Sequence, residues 1–357
     1  MRLVNINCMN GYETLARDII VNEGVVLLRR GTKIKNSLVK KLLDFNIQQI
    51  YIEDELSEGI TPDEIISMQE KQTIIRNITE EFTKLKEKLI IDTHVINKIA
   101  NSLTDKFYSD SIIVDIMNIQ KNDDYTYTHC LNVAILTTTL CNKLNIDAEM
   151  VKKIVVGALL HDVGKILVPK DILNKPTKLT DQEFHIMKQH SVLGYDILKD
   201  NEELDPISKL VVLCHHERSD GSGYPLGKAD DLHIGAKIVA ACDIFDALVS
   251  DRPYRKGFEL NEACIILKKE KIDSHVRDAL EKMIAFYPVG SPVLLSNGIV
   301  GIVEKNFAGE LSKPNIRGVY NVRDKCTCEY RVCLRDEKNV YIVSKLDGIP
   351  TVDNIQL

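Results

Sequence analysis

The sequence has no tryptophan, no long apolar run and no excess of positive charge. The missing tryptophan excludes nothing by itself. The missing apolar run excludes a membrane-spanning helix, which needs about 20 consecutive apolar residues. The first residues, Met1 to Cys8, turn polar too early for a signal peptide, so a cytoplasmic protein is expected. Lys and Arg number 46 against 52 Asp and Glu, a net charge of −6. That excludes a dedicated nucleic-acid coat or a basic membrane-surface protein, while leaving room for a local basic pocket. Nine cysteines are an odd, irregularly spaced set. They argue against a disulfide framework and for reduced thiols. No internal repeat or low-complexity tract stands out.

What is present is a chain of 357 residues, 44% hydrophobic and 27% charged. It is globular and long enough for two or three domains. Four stretches differ in pattern. Residues 1–60 read as a small α+β module, with strands over 2–6, 25–28 and 49–52 and a helix over 38–43. Residues 61–106 start at Thr61-Pro62 and carry Ile66, Ile74, Ile75, Ile78, Phe82, Leu85 and Leu89 at helical spacing. They read as a helical linker with one packed face; a dimerising coiled coil, and with it a homodimer, is the alternative. Residues 107–287 are helical throughout and hold every histidine but His94. Residues 288–357 read as a small β-rich unit, with strands over 292–295, 301–304, 318–322, 330–334 and 340–344. The expected class is mainly α: a helical bundle flanked by an N-terminal α+β module and a C-terminal β unit.

The chemistry lies in the helical stretch. Val151, Ile154, Val155, Ala158 and Leu159 form an apolar stripe, and the next positions on it are His161 and Asp162. A carboxylate on a core-facing stripe is costly unless paired or metal-bound. His129 leads the stripe of Val133, Leu136 and Leu140; His190 follows Phe184 and Met187. His215 and His216 end the stripe of Ile207, Leu210 and Val211, while Asp243 and Asp246 follow Val239. Any one of these is an ordinary core histidine or capping aspartate. Together, five histidines and two aspartates without a thiolate suit a divalent metal such as Fe, Mn, Zn or Co. Seven ligands are too many for one metal and fit two sharing a carboxylate, the usual device for attack on phosphorus. Lys165, Arg252 and Arg255 are the basic residues placed to bind phosphate.

His161-Asp162-Val163-Gly164-Lys165 resembles the signature of the HD phosphohydrolase superfamily. The run from His215-His216-Glu217 to Gly221-Ser222-Gly223-Tyr224-Pro225 resembles the second signature of its HD-GYP subgroup. Supporting matches lie over 166–176, at Leu179-Thr180, at His190 with Gly194, and over 243–255, so the resemblance covers about 123–287. It implies a helical, two-metal phosphodiesterase of a family that hydrolyses the bacterial second messenger cyclic di-GMP to pGpG, and often on to GMP. One metal would be held by His129, His161, Asp162 and Asp243. The other would be held by Asp162, His190, His215 and His216. Asp162 would bridge, and Fe or Mn is the expected metal. Catalysis would rest on Asp162 and Lys165 with metal-activated hydroxide. Lys165, Arg252 and Arg255 would contact the substrate phosphate. Gly221, Gly223, Tyr224 and Pro225 would shape the pocket edge and offer a docking site for a GGDEF domain.

Some members carry a Glu one turn before the first His; this chain has Tyr125 there, with Asp123 and Asp124 at the wrong spacing, so two metals are expected rather than three. The competing readings are hydrolysis of 3′,3′-cGAMP, a linear dinucleotide or a nucleoside triphosphate, and a non-catalytic adaptor for cyclic di-GMP or a GGDEF domain. His94, His185, His233 and His275 read as surface residues. Cys326, Cys328 and Cys333 read as strand alternation rather than a zinc site, and Cys130, Cys214 and Cys242 as buried small hydrophobes.

Overall fold

The computed structural model describes residues 1–21, 25–45, 47–62, 65–107, 125–228, 231–250, 257–307, 310 and 312–349. The chain divides into two compact units. One comprises the described residues of Met1–Glu64 and Ile284–Leu357. The other comprises the described helical residues between them.

The first unit begins with β1 (Arg2–Asn5), β2 (Thr14–Leu15), a hairpin of β3 (Ile19–Val21) with β4 (Val25–Leu28), α1 (Asn36–Asp44) and β5 (Gln49–Glu53). β1, β5 and β2 form an antiparallel sheet with β5 in the middle. Val4, Ile6, Leu15, Ile34, Leu42, Ile47, Ile50 and Ile52 fill its core. The chain returns to this unit with β6 (Pro292–Leu295), β7 (Ile299–Lys305), β8 (Asn315–Asn321), β9 (Cys326–Cys333) and β10 (Ile342–Lys345). These form an antiparallel sheet in the order β10-β6-β7-β8-β9. The two ends of the chain share a core: Ile60 is buried with Val300, Ile302, Val319 and Tyr320. Backbone hydrogen bonds join them as well, from Leu3 N to Gly290 O (2.9 Å) and from Asn5 N to Asp347 O (2.7 Å). The sequence carries no sign of this pairing, because nothing in a strand's pattern names a distant partner. Cys326 and Cys328 do alternate along β9, and they form no metal-ligating group among the described residues.

The second unit is helical. Its elements are α2 (Met68–Lys88), α3 (Thr93–Phe107), α4 (Tyr125–Lys143), α5 (Ala148–Leu160), α6 (Lys170–Leu173), α7 (Asp181–Lys188), α8 (His190–Leu198), α9 (Pro206–Cys214), α10 (Ile234–Val249), α11 (Leu260–Leu267) and α12 (Ser274–Glu281). The starts are capped as their residues dictate. Asp147 accepts from Glu149 and Met150 N, Thr180 and Glu183 form a reciprocal capping box, and Asp205 caps α9 with Pro206 in the first turn. α4, α5, α9 and α10 pack against one another around fully buried Val133, Leu140, Ile154, Val155, Val211 and Val239. No helix among the described residues is long and apolar enough to cross a membrane.

The stretch expected as one linker helix is two helices of this unit. α2 ends at Leu89, whose φ of 55° is left-handed. Asp92 then caps the next helix by accepting from His94 N, and its own N–H donates to buried Glu81. Ile74, Ile78, Phe82 and Leu85 are buried, and the Phe82 ring meets Tyr127 of α4 edge-on at 5.5 Å. Deleting the Phe82 side chain therefore opens a cavity in the helical unit. Phe82→Ala is expected to cost about 3–5 kcal/mol in chemical unfolding of the full chain. A loss within about 0.5 kcal/mol, the range of an ordinary surface substitution, would mean that α2 is a solvated linker after all.

Candidate metal centre

The candidate ligands stand at helix ends or on inner faces that meet at one place. α4 carries His129. His161 caps the C-terminus of α5, and Asp162 follows it. His190 opens α8, His215 caps α9, and His216 is next in sequence. α10 carries Asp243 and Asp246. The five histidines and Asp162, Asp243 fall into three overlapping groups whose ligand atoms lie within 4.8 Å of one another: His190, His215 and His216; His129, His161 and Asp243; His161, Asp162 and His215.

The rings are aimed by their second nitrogens. Nδ1 of His161 lies 2.7 Å from Ala158 O, Nδ1 of His190 2.7 Å from Met187 O, and Nδ1 of His215 2.8 Å from Val212 O. A carbonyl only accepts, so each Nδ1 carries the proton and each Nε2 presents a bare lone pair. Two of those lone pairs meet directly, His190 Nε2 lying 3.2 Å from His215 Nε2, and His216 Nε2 is 3.1 Å from His190 Nε2. The His161 lone pair points to His129, whose Nε2 is 3.3 Å away and also lies on Asp243. Bare lone pairs at such distances repel unless a cation lies among them. The donor set therefore fits a divalent metal.

Charge agrees with this. Burial lowers the His161, His190, His215 and His216 imidazoles, His190 to about 4, and neighbouring histidines lower them further. These rings are neutral at neutral pH. Burial also acts to lower His129, but its hydrogen bonds to Asp243 (2.9 Å) and Asp246 (2.6 Å) prevail and raise it to about 9. Without a metal, His129 thus holds a proton between two carboxylates, which a metal would release. Burial acts to raise Asp162, yet Lys165 and the surrounding histidines hold it well below the usual carboxylate range. Its Oδ2 is 2.5 Å from Lys165 Nζ and 3.5 Å from His161 Nε2, while its Oδ1 is 3.4 Å from His190 Nε2. Burial pushes the thiols of Cys214 and Cys242 up to about 11 and about 12, and that of Cys130 well up, so none supplies a thiolate.

A sequence model of the HD domain family matches residues 95–277, just over half of the chain. The chain belongs to the HD domain family. Among curated relatives, a "Cyclic di-GMP phosphodiesterase PA4108" of Pseudomonas aeruginosa is 36% identical over 216 residues, covering 60% of this chain and 52% of the relative. A "Cyclic di-GMP phosphodiesterase" of Thermotoga maritima is 41% identical over 155 residues, covering 42% of each. The chain thus spans about half the length of the curated relatives it matches. Among solved structures, Bd1817, a HDG"Y"P protein from Bdellovibrio bacteriovorus, has a TM-score of 0.51 at 19% identity. It covers 78% of this chain and 97% of its own, a likeness of fold.

In this HD domain, Gly164 of the His161–Lys165 signature is a contact requirement. A Cβ there would stand 1.9 Å from His190 O and 2.5 Å from Gly194 N. The missing side chain lets the turn that carries Lys165 lie against the helix that opens with His190. The second signature is a loop held from below. Buried Glu217 accepts from the backbone N–H groups of Leu226 (2.6 Å), Gly227 (3.2 Å) and Lys228 (3.2 Å). Tyr224 N donates to His216 O at 3.2 Å, and the Tyr224 ring stacks on His216 at 4.6 Å. Gly221 has a φ of 77°. Of the other expected residues, Arg252 and Arg255 lie outside the described residues, as do Asp123 and Asp124. Tyr125 opens α4, and only its backbone is described.

Sequence reasoning assigned no role to Asp246 or Glu217. Both are buried carboxylates, and burial is the signal that finds them. Asp246 receives the His129 Nδ1 proton on one oxygen and the Ser250 hydroxyl (3.2 Å) on the other. It fixes which nitrogen of His129 faces the centre. Asp246→Asn is expected to weaken metal binding about 10–100-fold in chelator competition. Unchanged affinity would mean that His129 is oriented without it.

Proposed function

We propose that this HD domain is a two-metal phosphodiesterase that hydrolyses cyclic di-GMP to pGpG. The observation that carries the reading is the division of Asp162. Its Oδ2 faces His161 (3.5 Å) and His129 (3.8 Å), and its Oδ1 faces His190 (3.4 Å). One carboxylate thus has an oxygen toward each half of the histidine set. In this reading His129, His161, Asp162 and Asp243 hold one ion, and Asp162, His190, His215 and His216 hold the other. Imidazoles and carboxylates without thiolate suit Fe, Mn, Zn or Co, and we assign Fe or Mn on the resemblance of the two signatures. Such a pair supplies Lewis-acid polarisation of the phosphate and an activated water at neutral pH.

The chain's own groups do the rest. Lys165, now on Asp162, is one short swing from any phosphate oxygen bound beside it, and neutralises charge that develops there. Asp246 is fully buried and engaged by His129 and Ser250, so it orients rather than protonates the leaving oxygen. The second signature's loop borders the centre through Tyr224, and its exposed Ser222 and Leu226 form the surface we assign to a GGDEF-domain partner. Arg252 and Arg255 complete the phosphate contacts in this reading.

The test is anaerobic turnover of cyclic di-GMP by Fe- or Mn-loaded full-length chain, with products resolved over time and metal counted by elemental analysis. Two metals per chain are expected, with hydrolysis abolished in a His161→Ala, Asp162→Ala double variant. A stable three-metal stoichiometry would overturn the two-ion assignment. Absence of hydrolysis with both metals, with cyclic di-GMP still bound, would shift the reading to an adaptor.

A further inference from the structure

Among Lys165, Lys175 and Lys188 of the helical unit, one differs from the other two. Lys165 is tied to Asp162 at 2.5 Å, and Lys175 to Glu183 at 2.6 Å. Lys188, two residues before His190, forms no ion pair among the described residues. Its ammonium lies over two aromatic rings instead, 4.6 Å from the centre of Phe184 and 5.3 Å from that of Tyr224. Tyr224 in turn stacks on His216 at 4.6 Å and 29°. A ladder of ring, cation, ring and imidazole thus leads from a candidate metal ligand outward to Phe184, which is 47% exposed. An ammonium over ring faces is only weakly held, and the flexible lysine stem frees it for a stronger acceptor.

The substrate class asks for such a group. A cyclic dinucleotide carries two phosphodiesters. In the proposed reading the metal centre, Lys165, Arg252 and Arg255 address the one that is cleaved. The other keeps its full charge and must also leave water, which is costly without a cation. We infer that Lys188 binds the uncleaved phosphodiester of the cyclic dinucleotide, with Phe184 as the apolar wall beside it. This makes Lys188 a specificity residue, one that favours a substrate with two phosphates over one with a single phosphate. The inference rests on the proposed cyclic dinucleotide reading.

Lys188→Met tests it, because the methionine keeps the apolar stem against both rings and removes only the charge. Two substrates are compared on metal-loaded full-length protein: cyclic di-GMP, and bis(p-nitrophenyl) phosphate with its single phosphodiester. The ratio of kcat/KM for the first over the second is expected to fall at least about tenfold, mostly through KM, and Lys188→Arg to restore most of it. An equal loss on both substrates would overturn the inference, because it would mean that Lys188 merely props Tyr224 against His216. An unchanged ratio would overturn it too. If the wild type cleaves only the small diester, affinity for cyclic di-GMP by calorimetry decides. Binding at least about tenfold weaker in Lys188→Met keeps the subsite while the proposed function falls, and no binding by the wild type ends both.

Discussion

The helical unit is organised around imidazole lone pairs that have nowhere to go but toward each other. Three histidines spend their Nδ1 protons on the carbonyl three residues back, at Ala158, Met187 and Val212. Each bond is local, made within the turn that carries the histidine, so the ring direction is set before tertiary packing begins. Bringing α5, α8 and α9 together then drives their Nε2 atoms to within 3.1–3.3 Å of the neighbouring imidazoles. Apolar packing supplies the force, and a cation is what relieves the electrostatic conflict it creates. The metal-free chain relieves part of it with a proton on His129 and an ammonium on Asp162.

The two signature runs serve this geometry in different ways. The first works by leaving space, since the approach of the Gly164 turn to His190 tolerates no Cβ. The second works by tethering. Glu217 lies beside His216 in sequence and holds the backbone of the following loop from inside, so ligand position and loop position are coupled through one peptide. Tyr224 closes the circuit by stacking back on the ring of His216.

Much of this was legible in the sequence because periodicity reports burial. His161, Asp162, His129, His190, His215, His216 and Asp243 each interrupt an apolar stripe, and a buried polar group demands a partner. Partners themselves are another matter. Asp246 lies on the same helix as Asp243, but the histidine it orients is 117 positions away, and no local pattern joins them. The break at Leu89 was hidden because the apolar stripe of α2 runs into it without a glycine or proline. The left-handed Leu89 donates its N–H to Leu85 O, and the bond from Asp92 N to Glu81 spans the reversal. The strands at either end were readable one by one, and their common core was not, since Ile60 and Val300 show only that each is buried by something.

That common core has a consequence for synthesis. The helical unit is an insertion in the chain order of the other unit, whose first strands emerge long before their last partners. During translation Ile60 and the N–H groups of Leu3 and Asn5 wait for Val300 and the carbonyls of Gly290 and Asp347, while the candidate metal ligands are already out. Domains generally fold as units as they emerge, so the helical unit matures first and the flanking unit last. Until those residues emerge, Ile60 of the N-terminal module lacks the partners that bury it. Chaperone dependence should therefore concentrate in the interval before Gly290 to Asp347 emerge.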